Sequence, residues 1–309
     1  MTRVGNRTVL LIVLLRACRA GALACRSLGL HYKLTAEGGC PTRRAGLLLR
    51  IVAAGVLGFA WTGFAAADDD GLHRLVRAYP QQFSAIDKPN VLRWKDGTET
   101  AYDDGVVKAS LDDMLKQASP RDQMSLPYPC GWPMQEPAKD GEPGRVRCEA
   151  LFSKMYGNSA AEVGRSLVDV AWPAAGASKR VKFTRINDAA HALEQVAKEI
   201  NALPDEVKRY VAKPVGTFSW RPIAGEERRS PHSYGIAIDF QLPAPVYRYW
   251  RWDAKGAPDA PTYPPMVLGD PRLGQIVTVF ERHGFIWGGK WRHYDTMHFE
   301  YRPELTEAK

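Results

Sequence analysis

Beyond residue 67 the chain carries no excess charge of either sign. Of its 42 basic and 34 acidic residues, nine basic and one acidic lie in residues 1–67, which leaves 33 of each beyond. The formal net charge of +8 therefore belongs to the leader, and nothing in the remainder calls for a nucleic-acid partner. Cysteine is scarce as well. Cys18, Cys25 and Cys40 lie in the leader, and only Cys130 and Cys148 follow it, with no CxxC, a poor basis for a thiolate zinc site. No HExxH string occurs, which excludes the helical arrangement of many zinc peptidases. The apolar run Ile51–Phe64 has 14 residues and falls short of the ~20 that a membrane-spanning helix needs. No internal repeat or low-complexity tract appears.

What is present at the start reads as targeting sequence. Arg43, Arg44 and Arg50 precede the Ile51–Phe64 run, and Ala65-Ala66-Ala67 then Asp68-Asp69-Asp70 follow it. A basic segment, a short apolar segment and a small-x-small site predict a signal peptide cleaved after Ala67 and export to the periplasm or cell envelope. No membrane span is expected in the mature chain. Residues 1–41 do not fit this scheme: a second apolar patch, Val9–Leu15, precedes a stretch rich in Arg, Cys and Gly. A start placed too far upstream is the expected explanation. In an oxidising compartment the surviving pair Cys130 and Cys148 is expected to form one disulfide, contributing roughly 3 kcal/mol on the loop-entropy account.

Three segments follow: the leader 1–67, an N-terminal region 68–143, and a domain 144–309. In the second, Val91–Trp94 alternates, Asp96-Gly97 signals a hairpin, and Thr98–Val107 returns. Pro127–Gly144, rich in Pro and Gly and bracketing Cys130, is expected to be a stapled loop. In the third, Lys179–Thr184 alternates with period two, as a half-buried strand does. Asn187 is expected to cap a helix whose Leu193, Val196, Ile200 and Leu203 share a face. Residues 243–265, without a period, are expected to be a long surface loop. Leu273, Ile276, Val277 and Phe280 mark another amphipathic helix, with Gly284 as its left-handed stop. A last strand, Thr296–Tyr301, ends before Pro303. The fold class is α+β: a small, mostly antiparallel sheet flanked by helices, with the site on the sheet face.

The chemistry concentrates in two strings. In Ser230–Asp239, a strand would point Ala237 and Asp239 to one face and Ile236, Ile238 and Phe240 to the other. His232 sits on a turn just upstream. In Asp295–Glu300, His298 and Glu300 share a face, with Met297 and Phe299 opposite. If the two strands are neighbours, His232, Asp239 and His298 converge. Two imidazoles and a carboxylate, with a fourth position left for water, make up a catalytic zinc site.

Taken together, Ser-x-His-x-x-Gly-x-Ala-x-Asp followed by Asp-x-x-His resembles the D-alanyl-D-alanine carboxypeptidase family of zinc metallopeptidases. The ending Trp287-Gly288-Gly289-Lys290-Trp291 through Asp295-Thr296-Met297-His298-Phe299-Glu300 is similar to that of the L-alanyl-D-glutamate endopeptidase branch. The likeness runs from Gly144 to Leu305. It implies one Zn2+ held by His232, Asp239 and His298, and a general base at Asp295, where most dipeptidase-type relatives carry Glu. It also implies an arginine on the scissile carbonyl at Arg221, with Arg228 and Arg229 as alternatives, a role commonly worth a few kcal/mol. His293 is a rival ligand. Glu300 either orients a ligand imidazole or is a sheet-surface charge.

The implied substrate is the peptide stem of peptidoglycan, cut at D-Ala-D-Ala or at L-Ala-D-Glu. Tyr249-Trp250-Arg251-Trp252, in the aperiodic stretch, is expected to wall a groove for glycan or peptide. A non-catalytic zinc-containing module that binds cell wall is the alternative reading.

Overall fold

A computed structural model describes residues 70–176, 179–257, 259 and 261–306. The expected leader and its cleavage site lie outside the described residues. Among those described, no helix is long and apolar enough to cross a membrane.

Eight short strands form three antiparallel sheets: β1 (Val91–Arg93) with β2 (Glu99–Ala101), β3 (Leu167–Ala171) with β4 (Arg180–Thr184), and a four-stranded sheet. The last contains β5 (Pro214–Gly216), β6 (Ala237–Phe240), β7 (Phe285–Trp287) and β8 (His298–Tyr301), in the order β5-β6-β8-β7. Helices surround these sheets, so the architecture is α+β with small antiparallel sheets. The hairpin at Asp96-Gly97 forms as expected: β1 pairs β2, and Gly97 takes φ +85°.

The period-two alternation of β6 and β8 splits the four-stranded sheet into two chemical faces. Ile238 stands opposite Phe299, and Phe299 opposite Trp287, so these side chains share a face with Phe240 and Phe285. Against that face lies the Pro271–Arg282 helix, whose Phe280 stacks on Phe299 at 4.0 Å and meets Phe240 and Phe285 at 6.0 and 5.4 Å. All of these residues are fully buried, each contributing about 1.5–3 kcal/mol by burial alone. Asp270 caps this helix by accepting from Arg272 and Leu273 N–H, and Gly284, at φ +83°, ends it. The second expected helix, Ala189–Asn201, buries Leu193, Val196 and Ile200 and packs on the β3–β4 hairpin and the Pro271–Arg282 helix.

One hydrophobic core runs from Leu72 to Leu305, and residues on both sides of position 143 contribute to it. The linkage is polar as well as apolar. Tyr128 OH and Gly131 N–H both donate to Glu281, and Lys290 Nζ donates to the carbonyls of Pro129 and Gly131.

Three expectations are corrected. Asn187 does not cap the Ala189–Asn201 helix: it has φ 55°, and its side chain is taken up by Gln82 and Met155. No disulfide joins Cys130 to Cys148. Cys148 is buried at the start of the Glu149–Tyr156 helix with its N–H on Gln123, while Cys130 lies at the surface with Sγ against the Thr306 carbonyl. Glu281 and Lys290, rather than a covalent staple, hold the 127–144 loop. Residues 243–265 are not simply a surface loop, since Val246 and Tyr263 are buried and Trp250–Ala254 is helical.

Candidate metal centre and cleft

The polar face of β6 and β8 builds the site. Asp239 and His298 are directly opposite each other across the strand pair, and Ala237 is opposite Glu300. His298 Nδ1 lies 2.9 Å from Asp239 Oδ1. His232 arrives from the Pro231–Tyr234 turn, which Gly235 closes at φ +66°. The positive φ favours glycine there, and a Cβ would also displace the tip of Leu167, 2.6 Å away. That turn brings His232 Nε2 to 3.1 Å from Asp239 Oδ2. The ring's other nitrogen, Nδ1, donates to the Thr217 carbonyl at 2.6 Å, which fixes the tautomer with Nε2 free to ligate.

The donor atoms of His232, Asp239 and His298 all lie within 4.8 Å of one another. A tetrahedral zinc with bonds near 2.0–2.1 Å needs ligand atoms roughly 3.3 Å apart, and each imidazole stands near that distance from one of the two Asp239 oxygens. The electrostatics also fit a cation. Burial opposes charge on His298, yet Asp239 and Glu300 override it and push its pKa up to about 10. Burial likewise opposes the Asp239 carboxylate, but the two imidazoles hold its pKa far below the ordinary range. A set of two nitrogens and one carboxylate that gathers positive charge so strongly suits a divalent ion.

Asp295 is seated by the Trp-Gly-Gly turn. Its N–H donates to the Gly288 carbonyl at 3.0 Å, and Trp287 Nε1 donates to the Thr296 carbonyl at 2.8 Å. A Cβ on Gly288 would stand 2.6 Å from the Asp295 carbonyl oxygen, so glycine is what permits this approach. Asp295 Oδ1 is buried and has no hydrogen-bond partner. Burial foremost, then repulsion from Asp239, raises the Asp295 pKa to about 7, against the pull of His298 and His232. A carboxyl that titrates near neutrality with a vacant acceptor is equipped to take up and return a proton.

The remaining residues sort by position. Glu300 is fully buried, so it is no surface charge; its Oε2 is 3.3 Å from His298 Nε2, and its other oxygen accepts from Arg302 at 2.9 Å. Burial would raise its pKa, but Arg147, His298 and Arg302 hold it at about 2. His293 lies apart from the three donors: its Nδ1 meets Glu142, and its ring sits 4.5 Å from Trp250. Trp291 packs 5.6 Å from the His298 ring.

A cavity of about 270 Å3 opens over the cluster, and Arg221 and Arg228 both line it. Arg228 is buried and paired with Glu226, whereas Arg229 stacks over Trp220 at 4.1 Å and is not part of the lining. Of the three arginines, Arg221 alone is both on the cavity and exposed, its Nη1 donating only to the Pro222 carbonyl. Tyr249, Trp250, Arg251 and Trp252 form one wall, where the sequence placed a groove. Arg145 and Arg147 were missed. They sit 85 or more residues before His232 in an irregular stretch, and no local pattern marks them; only the fold carries them to the cleft.

Residues 224–301 match the family described as D-alanyl-D-alanine carboxypeptidase. The matched segment contains His232, Asp239, Asp295 and His298, and the resemblance to these peptidases stands. Arg221 and the N-terminal region lie outside it. No curated protein and no solved structure matches the chain.

Proposed function

We propose that the protein is a zinc-dependent peptidase of the cell envelope, acting on peptidoglycan stem peptides at a D-Ala-D-Ala or L-Ala-D-Glu bond. In this reading residues 144–309 carry the catalytic centre, 68–143 form a smaller region buttressing it, and the leader directs export. The observation that carries it is one cleft holding three converging donors beside a buried, unpartnered carboxyl oxygen, within the segment matched to the peptidase family.

His232 Nε2, Asp239 and His298 Nδ1 would hold the ion. Zinc held there would supply Lewis acidity toward the scissile carbonyl and would lower the pKa of a bound water to near neutrality. The chain's own groups do the rest. Asp295 Oδ1, buried and unpartnered, accepts the proton of the attacking water and passes it to the departing amine. Arg221 places a permanent cation at the cavity, where it counters the negative charge that develops on the carbonyl oxygen. Thr217 and Glu300 hold the two imidazoles in their ligating orientations, while Trp291 shields the His298 ring from water.

The test is digestion of purified muropeptides by the full-length mature protein, with product masses and zinc content measured on the same preparation. Cleavage at one of the two bonds, abolished by a chelator and restored by zinc, is the expected result. Stoichiometric zinc with wall binding but no cleavage overturns the enzyme reading in favour of a binding module.

A further inference from the structure

Five arginines line the cleft, and they are not equivalent. Arg145 pairs with Glu142 at 3.0 Å, and Arg147 faces Glu300 at 3.6 Å. Arg228 is clamped by Glu226, and Arg221 is the cation already placed at the carbonyl. Arg251 differs from all of these. Among the described residues it makes no hydrogen bond and no ion pair, and its Nε is buried without a partner. Its guanidinium lies 5.2 Å from the Trp250 ring centre on one side. On the other comes the tip of the 221–229 hairpin, where a Cβ on Gly225 would stand 2.8 Å from Arg251 Nη1.

The backbone beside Arg251 is anchored before any ligand arrives. The segment bearing it is tied to the stretch that carries Asp295: Tyr249 bridges to Asp295, Trp250 N–H donates to the Tyr294 carbonyl, and Arg248 N–H donates to Thr296 Oγ1. A guanidinium with unused donors, on a cleft wall, matches a planar anion that it can grip with two parallel hydrogen bonds.

We infer that Arg251 is a specificity-determining residue that anchors a free carboxylate of the peptide substrate. This rests on the peptidase reading and adds the substrate's chemistry: a peptide with an unblocked carboxylate near the scissile bond. The carboxylate is either the C-terminal one or an internal one, such as the α-carboxylate left by a γ-linked D-Glu. The guanidinium meets it while Arg221 and Asp295 attend to the bond.

Two matched peptide pairs test this with the full-length mature, zinc-loaded protein. One pair differs by a free or amidated C-terminus, the other by a free or amidated internal carboxylate. Wild type is expected to favour the free acid in one pair, chiefly through KM, and that pair names the source. Arg251→Gln should shrink the preference by about 10-fold to 100-fold, the range for a charge-assisted bidentate contact. Arg251→Lys should retain part of it, and zinc content should hold in both variants. A guanidinium that merely props Trp250 would lower the melting temperature and leave the acid-to-amide ratio unchanged, which overturns the proposal. So does equal turnover of acid and amide in both pairs by wild type. If no peptide is cleaved, calorimetric binding of the same pairs still reads the subsite. Acid preference lost in Arg251→Gln upholds it while the peptidase reading falls; binding without that preference overturns it.

Discussion

At the C-terminal end of β8, Glu300, Arg302 and Glu304 form a closed chain of buried charge. Arg302 reaches both carboxylates, at 2.9 and 2.6 Å, and the carbonyl of Gly144; Glu304 also receives Tyr79 OH and Gln123 Nε2. Every side-chain oxygen and nitrogen of these three residues that is buried finds a partner. Three residues before the same strand begins, Asp295 is half-buried, yet its buried Oδ1 has no partner. The first arrangement resolves its burial cost internally. The second leaves it standing, and a charge left uncompensated in a cleft is a position ready to meet a reacting group.

Removing a metal donor gives the largest expected effect. His232→Ala and His298→Ala should each lower zinc occupancy well below one per chain, measured by metal analysis after gel filtration, with activity falling alongside. Loss of the ion's binding energy should also lower the melting temperature. Full zinc content in both variants would remove the site as drawn.

Asp295→Asn keeps size and polarity but cannot accept the proton. Turnover should fall roughly 10²–10⁴-fold with zinc retained and KM little changed. Zinc lost together with activity would make Asp295 a ligand instead.

Breaking the paired cluster should act on stability rather than chemistry. Arg302→Met strands two buried carboxylates and should cost about 3–5 kcal/mol in chemical denaturation. A cost below about 1 kcal/mol would mean that the chain of charge is not the support described here.

Glu300 and Asp295 should also answer pH with opposite signs. Glu300 is held at about 2, below an unfolded glutamate near 4.3, so its contribution is complete above that value and is lost as pH falls toward 2. Asp295 is raised to about 7, so its own contribution to the metal-free protein is lost as pH rises from about 4 to 7. Metal-free Asp295→Asn should therefore melt higher than metal-free wild type at pH 8, with the gap closing below pH 4. A constant gap across that range would contradict the burial cost assigned to Asp295.

How legible this was in the sequence depended on the range of the forces involved. The alternation in Ile236–Phe240 and Met297–Glu300 is a local signal, so the face on which Asp239 and His298 each lie could be read directly, while their pairing across two distant strands stayed conditional on the strands being neighbours. The Pro271–Arg282 helix and its Gly284 stop were visible for the same reason. The Leu167–Ala171 strand, the anchoring of the 127–144 loop by Glu281 and Lys290, and the arrival of Arg147 all depend on partners far away in the chain. Compartment logic suggested a disulfide, but tertiary packing placed Cys148 at a helix start and Cys130 at the surface. Asn187 resembles a cap in sequence; its side chain found longer-range partners instead.

The direct opposition of Asp239 and His298 has a consequence for how errors are caught. A slip of one residue between β6 and β8 would turn one strand's donors to the apolar face, leaving the ion with too few ligands. If the cleft takes up zinc as proposed, metal uptake would proofread strand alignment, and a zinc supplement during refolding should raise the yield of native protein rather than only its melting point.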